Sequence, residues 1–453
     1  MILTDSDKKL TAGCLQTVLK AGADKARICL SDSRMELVGT LDGELDRITS
    51  CRDRLLTLSI YADGRYGSFS TNKLDPESLS GFVYKSVETV RMMEEDRFHD
   101  LPAPERLVRD ALTGDEPGIL DLQAYLAMTP QDRIRMTLDA AAAERSGKGW
   151  KMISEEGEYD DSLSLTYLLD SNGLEALHAE TVFEYGTEIT LEDSRGRKYS
   201  GGWWDASPFF TGFHPETVAP AAFEEARMQF GPHACRSGKY TLVVDSEVAS
   251  KMVSPILAAL NAFAIQQKNS FLTDSRGKRI FPEGLTILDI PRTPGQIGSK
   301  FFDSEGVATA NHAIIENGVV REYFVNTYMS GKLGIPPTSE EAVRPKVLPY
   351  TAPGLGTGSQ AAARDDIMAL CGDGILVTDF EGGNSNPATG DFSYAIRGYR
   401  FRGGRIVHPV NEMLITGNFL SLWSRLLAAG DDARICREKL IPTLAFAEVD
   451  FSG

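Results

Sequence analysis

Alternating apolar and polar positions predict β-strands through much of the first half of the chain. Residues 36–61 alternate in this way, and the tract 62–67 supplies a Gly-containing turn before the pattern continues at 68–70. Two further alternating stretches, 162–169 and 176–190, lie on either side of a second turn. The pattern therefore predicts an N-terminal mixed α/β domain whose curved antiparallel sheet is made of hairpins.

Helical periodicity and capping residues predict six helices. Thr129 is followed three positions later by Asp132, which is the order of an N-cap residue and an acidic residue in the first turn. The longest helix has its apolar residues along one side and Asp245 or Ser246 as its cap. The predicted helices span residues 6–22, 75–96, 129–145, 215–229, 246–268 and 419–428.

The length of 453 residues predicts more than one domain, since single cores stop growing at about 250–300 residues. Turn residues between Gly231 and Gly238 interrupt the pattern, and we predict a boundary there, with domains at 1–230 and 231–453. After residue 286 the chain is mostly short strands punctuated by Gly and Asn. Because helices and hairpins follow one another without regular strand–helix–strand alternation, the predicted fold class is α+β.

Composition and charge are those of an ordinary globular protein. Apolar residues make up 42% of the chain and charged residues 25%, which excludes disordered, collagen-like and disulfide-framework classes. The balance of 47 Lys and Arg against 64 Asp and Glu gives a net charge of −17, which opposes direct contact with nucleic acid. Residues 152–200 hold 12 acidic and three basic residues. A solvated sheet face is the simpler interpretation of this stretch, and an acidic docking surface is the alternative.

No segment of the chain predicts export or membrane insertion. The N-terminus is polar without an apolar signal core, and nowhere do 18 apolar residues run consecutively. The six cysteines are scattered without a CxxC pair, as expected of reduced thiols. We therefore predict a cytoplasmic protein without a membrane partner.

Histidine is scarce, and its spacing limits the metal sites that the chain could build. No two of the six histidines lie closer than His214 and His233, so every zinc motif made of closely paired histidines is excluded. His312 and His408 lie singly in strand-like segments, where we expect hydrogen-bonded structural residues.

Two segments have the flavour of known motifs but carry little specificity. The Gly354–Gly358 run lacks both GxGxxG spacing and a Lys-Ser/Thr ending, so we predict a simple loop instead of a phosphate-binding loop. Asp373 and Asp379 flank a β-rich run and are interpreted as the acidic ends of a buried strand. The sequence contains no GxSxG motif, which leaves an α/β-hydrolase without support.

Two polar loops are more specific. One contains Asp303, Glu305 and Gly306, and the other contains Asn384, Asn386 and Asp391. Short polar side chains in such loops commonly satisfy backbone groups through Asx-type hydrogen bonds. The functional alternative is a polar rim beside a cleft, where loop side chains would engage the backbone of a substrate.

The run Gly383–Ser393 resembles the C-terminal signature of the TldD/PmbA family, once called modulators of DNA gyrase, in its PmbA (TldE) branch. Segments Pro409–Glu412 and Ile415–Asn418 continue this resemblance, and Asp303–Gly306 and Asp63–Asn72 are similar to other blocks of the family. The resemblance covers most of the chain. It implies an N-terminal α+β domain, a C-terminal β-barrel-like domain with flanking helices, and a dimer enclosing a cavity for unfolded or extended peptides.

The resemblance also implies where a zinc site would lie, and this chain departs from it. In the TldD branch a helical HExxxH motif and a later cysteine hold zinc, which activates water for peptide hydrolysis. The corresponding helix here is the one predicted at 246–268, and no histidine occurs between His233 and His312. Cys436 lies where the late cysteine of the family falls, and we expect a lone, buried thiol. The inner face of the helix is predicted to carry Ser254, Pro255, Ala258, Ala259 and Asn261.

These observations favour a PmbA/TldE-like subunit of a cytoplasmic metallopeptidase that acts on unfolded or extended peptides. No cofactor is expected in this chain, because zinc would belong to a TldD-like partner. The loops at 303–306 and 384–391 would supply the cleft wall. A self-contained homodimeric hydrolase with an unrecognised site is the alternative, and a non-enzymatic peptide-binding module is a third hypothesis.

Overall fold

The computed structural model describes residues 3–142, 144–355 and 363–453, and the chain forms two compact units. The first unit comprises Met1–Glu225, Arg292–Ala310 and Asn326–Glu340. The second unit comprises Ala226–Pro291, Asn311–Val325 and Glu341–Gly453. Two segments from the second half of the sequence therefore complete the first unit.

One antiparallel sheet of seven strands forms the centre of the first unit. The strands are β1 (Lys25–Leu41), β2 (Glu44–Ala62), β3 (Arg65–Thr71), β4 (Ser146–Gly147), β5 (Trp150–Asp170), β6 (Glu175–Asp193) and β7 (Lys198–Ser207). Their order is β3-β2-β1-β5-β6-β7, with β4 paired to β5. Successive strands pair as hairpins within β1–β3 and within β4–β7, and the alternating pattern predicts the β2–β3 and β5–β6 hairpins.

The boundaries of these strands correct the predicted stretch at 36–61. That stretch contains a turn at Asp42 and Gly43, both with positive φ (54° and 77°), so it belongs to two paired strands. Asp-Gly is a favoured pair for this kind of tight hairpin. Strand β7 was not predicted.

The first five helices are α1 (Asp5–Lys20), α2 (Pro76–Arg91), α3 (Leu122–Ala127), α4 (Pro130–Ala140) and α5 (Val218–Met228). Helices α1, α2 and α4 begin within one residue of the predicted positions, α5 begins three residues later than predicted, and α3 was not predicted. The side chain of Thr129 accepts from the Asp132 amide while the Asp132 carboxylate accepts from Thr129, which is the capping box predicted there. Helix α4 ends at Ala140, earlier than predicted, because the chain turns into extended backbone at Ala141.

Helices α1 to α4 cover one face of the sheet. Tyr159, Leu163 and Tyr167 of β5 alternate with more polar residues and are buried beneath these helices. On the opposite face, the same strand carries Glu156, Glu158 and Asp160, which are partly or fully exposed. Part of the acidic stretch therefore lies on the less covered face of the sheet, while Glu155 and Asp161 of the same strand are buried.

The distal half of β2 has no cover on either face. All residues from Glu44 to Asp53 are exposed, including Leu45 and Ile48. This segment pairs with β1 along one edge, while β3 pairs only with the later part, from Leu56 to Ala62. Within the described residues, its outer edge is unpaired.

The second unit is organised by a closed barrel. Its strands, with those of a small neighbouring sheet, are β8 (Gly238–Val244), β9 (Ile287–Asp289), β10 (His312–Glu316), β11 (Val319–Val320), β12 (Pro345–Val347), β13 (Tyr350–Thr351), β14 (Gly374–Ser385), β15 (Asp391–Arg402), β16 (Arg405–Asn418), β17 (Leu426–Ala429) and β18 (Leu444–Ser452). The order β18-β16-β15-β14-β8 closes on itself because β8 also pairs with β18. The predicted β-barrel-like domain is thus a five-stranded barrel, and the α+β fold class is confirmed.

Five short helices complete the described chain, and two of them correct predictions. They are α6 (Ser250–Ala259), α7 (Ala262–Gln266), α8 (Thr327–Leu333), α9 (Arg364–Cys371) and α10 (Phe419–Trp423). The helix predicted at 246–268 is two helices, because the Asn261 side chain accepts from the Phe263 amide and begins a new one. The helix predicted at 419–428 ends at Trp423, and β17 follows.

None of the helices within residues 3–142, 144–355 and 363–453 is long and apolar enough to cross a lipid bilayer. Of the Gly354–Gly358 run interpreted as a loop, residues 356–358 lie outside the described residues. The β-rich run between Asp373 and Asp379 is the buried start of β14, as predicted.

Candidate functional site

A cleft of about 440 Å³ lies in the second unit, where helix α6 faces strands β14 and β15. Its volume falls in the range of ligand-binding clefts, about 300–1,000 Å³. Polar residues and a few apolar ones line it together. The lining includes Ser250, Lys251, Ser254, Pro255, Asp379 and Tyr394.

Helix α6 is amphipathic, and its polar side contributes four residues to this lining. Met252, Val253, Ile256 and Leu257 are buried in the core on one side of the helix. Ser250, Lys251, Ser254 and Pro255 recur at the complementary spacing and face the cleft. The indole N–H of Trp423 donates to the Met252 carbonyl oxygen at 3.2 Å, which fixes the helix against α10. Ala259, predicted on the inner face, is buried on the core side instead.

Both carboxylates of the cleft are already neutralised. Glu247 Oε2 lies 3.1 Å from Nη1 of Arg434 and 2.6 Å from Nη2 of Arg437. Asp379 Oδ2 accepts from Nη2 of Arg397 at 2.6 Å. Three arginines therefore compensate the negative charges that the lining contributes.

Lys251 is the cation of the cleft without such a partner. Its ammonium lies 4.8 Å from the centroid of the Tyr394 ring, a cation–π contact, and no ion pair joins it to a carboxylate among the described residues. The Tyr394 ring is buried, and burial raises the pKa of its phenol, so the ring stays uncharged at neutral pH. The lysine therefore contributes uncompensated positive charge to the cleft.

Pro255 removes one helical hydrogen bond beside the lysine. Proline has no N–H, so it does not donate the helical hydrogen bond that the Lys251 carbonyl would receive from this position. Both residues line the cleft.

The predicted loop at Asp303, Glu305 and Gly306 belongs to the first unit and is internally bonded. Asp303 Oδ1 accepts from the amides of Glu305 and Val307, both at 2.9 Å. Burial raises the pKa of Asp303 to about 7, and the Glu340 and Glu305 carboxylates add to the shift. Gly306 has a φ of +79° and packs against the Leu174 side chain. The Asx-type interpretation therefore describes Asp303.

Glu305 is similarly occupied. Its Oε2 accepts from the amide of Thr327 at 2.9 Å and from the hydroxyl of the same residue at 2.8 Å. The carboxylate thus fixes the start of α8 within the first unit. It is nearly buried, with 9% of its surface exposed, so it presents little surface to a substrate.

The predicted loop at Asn384, Asn386 and Asp391 belongs to the second unit and is exposed. Asn386 Oδ1 accepts from the Ala388 amide at 2.9 Å, and Asp391 accepts from Nδ2 of Asn418 at 2.9 Å and from the Thr389 hydroxyl at 2.7 Å. These bonds hold the pKa of Asp391 below its usual range. Asn384 pairs with Ser393 in the β14–β15 ladder. Asn386 and Asp391 thus mainly stabilise the loop that contains them.

A second cleft, of about 450 Å³, lies on the uncovered sheet face of the first unit. Arg47, which pairs with Glu158, is the basic residue among its lining. Asp160 and Glu184 stand directly opposite each other on β5 and β6. Burial raises the pKa of Asp160 to about 7, with the Glu184 and Glu158 carboxylates adding to the shift. The acidic residues of this cleft are Asp46, Glu156, Glu158, Asp160, Glu184 and Glu188.

Replacing Asp160 with asparagine is expected to stabilise the protein above pH 7. Because the folded-state pKa of Asp160 is raised, folding keeps a proton that the unfolded chain releases, and stability falls as the pH rises from about 4 to about 7. Asparagine removes this loss, a gain of about 1–2 kcal/mol at pH 8 after solvent screening and little change at pH 4. Urea unfolding at both pH values measures it. The exposed Glu188→Gln is the control, and an equal gain at both pH values would contradict the assignment.

The chain is similar to known proteins over its whole length. A family model described as the PmbA/TldA metallopeptidase C-terminal domain matches residues 237–453. A solved Bacteroides thetaiotaomicron structure, provisionally named a modulator of DNA gyrase, is 33% identical, covers 100% of both chains and superposes with a TM-score of 0.92. The chain belongs to the PmbA/TldD family.

Other members of the PmbA/TldD family agree in length and fold. Metalloprotease PmbA of Escherichia coli O157:H7 is 23% identical, over 98% of this chain and 97% of its own length. TldE of Thermococcus kodakarensis is 17% identical and superposes with a TM-score of 0.82, over 98% of this chain and 100% of that chain. The similarity to TldE shows the shared fold.

The cleft residues do not fit the zinc ion that the PmbA/TldD family implies. On α6, the residues that line the cleft with the spacing of HExxxH are Ser250, Lys251 and Pro255. They offer a hydroxyl, a cation and an apolar ring in place of two imidazoles and a carboxylate. Cys436 is partly buried between Arg434 and Arg437, and no group of three or more metal-ligating side chains occurs within the described residues.

Sequence reasoning placed two of the cleft residues, Ser254 and Pro255, on the correct face of the family helix, and it missed the others. Lys251 and Ser250 share the same polar stripe, so helical periodicity was the signal that could have found them. Asp379 and Tyr394 come from β14 and β15, and only the pairing of those strands brings them to the helix.

Proposed function

We propose that this chain is the PmbA/TldE-like subunit of a two-subunit, cytoplasmic metallopeptidase. It binds an extended peptide in the cleft of the second unit, and a TldD-like partner supplies the zinc. The observation that carries the proposal is the face of α6, where Ser250, Lys251 and Pro255 occupy the spacing of a metal motif without a metal ligand among them. Membership of the family and the metalloprotease names of its relatives support the peptidase role.

The cleft has the features that an extended peptide requires. Val248, Pro255 and Phe380 supply apolar wall for side chains, and Ser250, Ser254 and Ser385 supply hydroxyls that donate or accept. A few apolar contacts with convergent polar groups are typical of ligand sites, and backbone-directed bonds favour peptides of varied sequence.

The residues of this chain bind and orient the peptide, and bond cleavage belongs to the partner. Zinc, when bound in the partner, supplies an activated water and polarises the scissile carbonyl. Holding the peptide extended lowers the entropic cost of presenting it to that centre. The rate gain from this chain therefore arises from positioning.

Mixing this chain with a TldD-like protein from the same organism is expected to give a stable complex with peptide-cleaving activity. Size-exclusion chromatography measures the complex, and a fluorescence-quenched, unstructured dodecapeptide measures cleavage. The mixture should cleave at least about tenfold faster than either protein alone, because positioning contributes only in the complex. Failure to co-elute, together with no gain in rate, would refute the subunit role.

One observation keeps the self-contained hydrolase as a second candidate. Nζ of Lys439 donates to Oγ of Ser254 at 3.1 Å, which places a hydroxyl nucleophile of the cleft beside a lysine. The same cleavage assay separates the two functions. Peptide cleavage by the purified chain alone that disappears in Ser254→Ala would favour this candidate, and the absence of cleavage by the purified chain alone favours the subunit role.

A further inference from the structure

We propose that the cleft in the second unit recognises a carboxylate of the bound peptide through Lys251. The inference rests on the proposed function for the peptide itself and adds the chemical group that the cleft selects. Nothing in the comparisons assigns a ligand to this helix face.

The charge balance of the cleft carries the argument. Its two carboxylates, Glu247 and Asp379, are held by arginines at 2.6–3.1 Å. Lys251 lies against the Tyr394 ring, which attracts a cation but brings no negative charge. An anion entering the cleft therefore meets no unpaired carboxylate among the described lining residues, and Lys251 is the lysine of that lining, with the ammonium of Lys439 behind Ser254 at 3.1 Å from its Oγ.

The surrounding hydrogen-bonding groups suit a carboxylate better than another anion. A lysine ammonium has three donors, and the ring contact leaves them available to oxygen acceptors. Ser254 Oγ accepts from Lys439, so its own O–H can donate to an oxygen in the cleft. Ser250 and Ser385 place two more hydroxyls around the same space. Two oxygens on one carbon can share these donors.

The apolar wall indicates that the carboxylate belongs to a larger molecule. Phe380, Val248 and Pro255 line the cleft alongside the polar groups, so a side chain can pack next to the anchored group. A carboxylate with an adjacent apolar side chain is what a peptide C-terminus presents. An internal Asp or Glu presents the same group, and the two sources are separated by the choice of peptide.

The test uses an N-terminally fluorescein-labelled decapeptide of Gly, Ser and Ala that ends in Leu, with the full-length chain and fluorescence anisotropy. Three forms are compared: the free acid, the C-terminal amide, and the amide with one internal Glu. The free acid should bind about tenfold tighter than the plain amide, the typical value of one charge-assisted hydrogen bond. Lys251→Gln should remove this difference, and Lys251→Arg should keep most of it.

Lys278→Gln removes an exposed lysine of the same unit outside the cleft lining and is the matched control, with no expected change. If the Glu-containing amide binds as tightly as the free acid and depends equally on Lys251, the carboxylate recognition stands and its source is a side chain. Equal affinity for all three peptides would overturn the proposal, and this comparison needs only the unsubstituted chain. Because complex formation and cleavage are measured separately, that result would leave the subunit role intact.

Discussion

Asp161→Ala is expected to destabilise the first unit by about 3–5 kcal/mol, which is the typical cost of removing one partner of a buried ion pair. Asp161 is fully buried, and its carboxylate accepts hydrogen bonds from Nε and Nη2 of Arg133 at 2.7 and 2.9 Å. The Tyr159 hydroxyl donates to the same carboxylate at 2.8 Å. Alanine would leave the guanidinium buried without a counter-charge and the phenol without an acceptor.

Urea unfolding followed by tryptophan fluorescence measures this effect, since Trp150, Trp203 and Trp204 lie in the first unit. The double variant Arg133→Met/Asp161→Leu removes both charges and should recover much of the loss. Asp160→Asn, next in the chain but on the other face of β5, should not destabilise. A loss below about 1 kcal/mol for Asp161→Ala would show that solvent reaches the Arg133 guanidinium and replaces its partner.

Gly398→Ala is expected to destabilise the barrel by about 3 kcal/mol or more, since overpacking against backbone cannot relax by a rotamer change. Gly398 lies on β15, where it pairs with Val377 of β14 and Val410 of β16, beside a register shift in each ladder. A Cβ at this position would overlap the carbonyl oxygen of Leu376. Glycine is therefore required where the barrel strands bend closely past each other.

Gly382→Ala provides the matched control on β14, because a Cβ there meets no atom within 4 Å. Trp423 is the tryptophan of the second unit, and its fluorescence reports the unfolding of that unit. We expect the free energy of unfolding to change little in Gly382→Ala and to fall strongly in Gly398→Ala. Similar unfolding midpoints for both variants would mean that the strands can move apart at the bend without loss of stability.

The parts of the fold that local chemistry determines could be predicted from the sequence. The Thr129–Asp132 capping box and the start of α2 at Pro76 follow from side chains that bond to their own backbone. Short apolar runs are compatible with helix and strand alike, which is why residues after Trp423 were predicted as helix and form β17. Asn261 has the chemistry of a cap, but the apolar spacing around it continues and conceals the break.

The candidate site was less predictable because its residues are assembled by the closed barrel. Asp303 and Asn386 were chosen as polar loop residues, and their oxygens prove to be occupied by their own loops. The cleft combines α6 with residues more than a hundred positions later, Asp379 and Tyr394. Their proximity follows from strand pairing, which no local pattern contains.

The uncovered half of β2 has a consequence for the colloidal behaviour of the protein. An unpaired strand edge is a template on which another chain can add a strand. Between Glu44 and Asp53 this edge carries five charges of both signs among exposed apolar residues, the arrangement of gatekeepers that keep two such edges apart. Because salt screens those charges beyond about 10 Å at 0.1 M, dilute buffer and not high ionic strength is the condition that keeps concentrated protein dispersed.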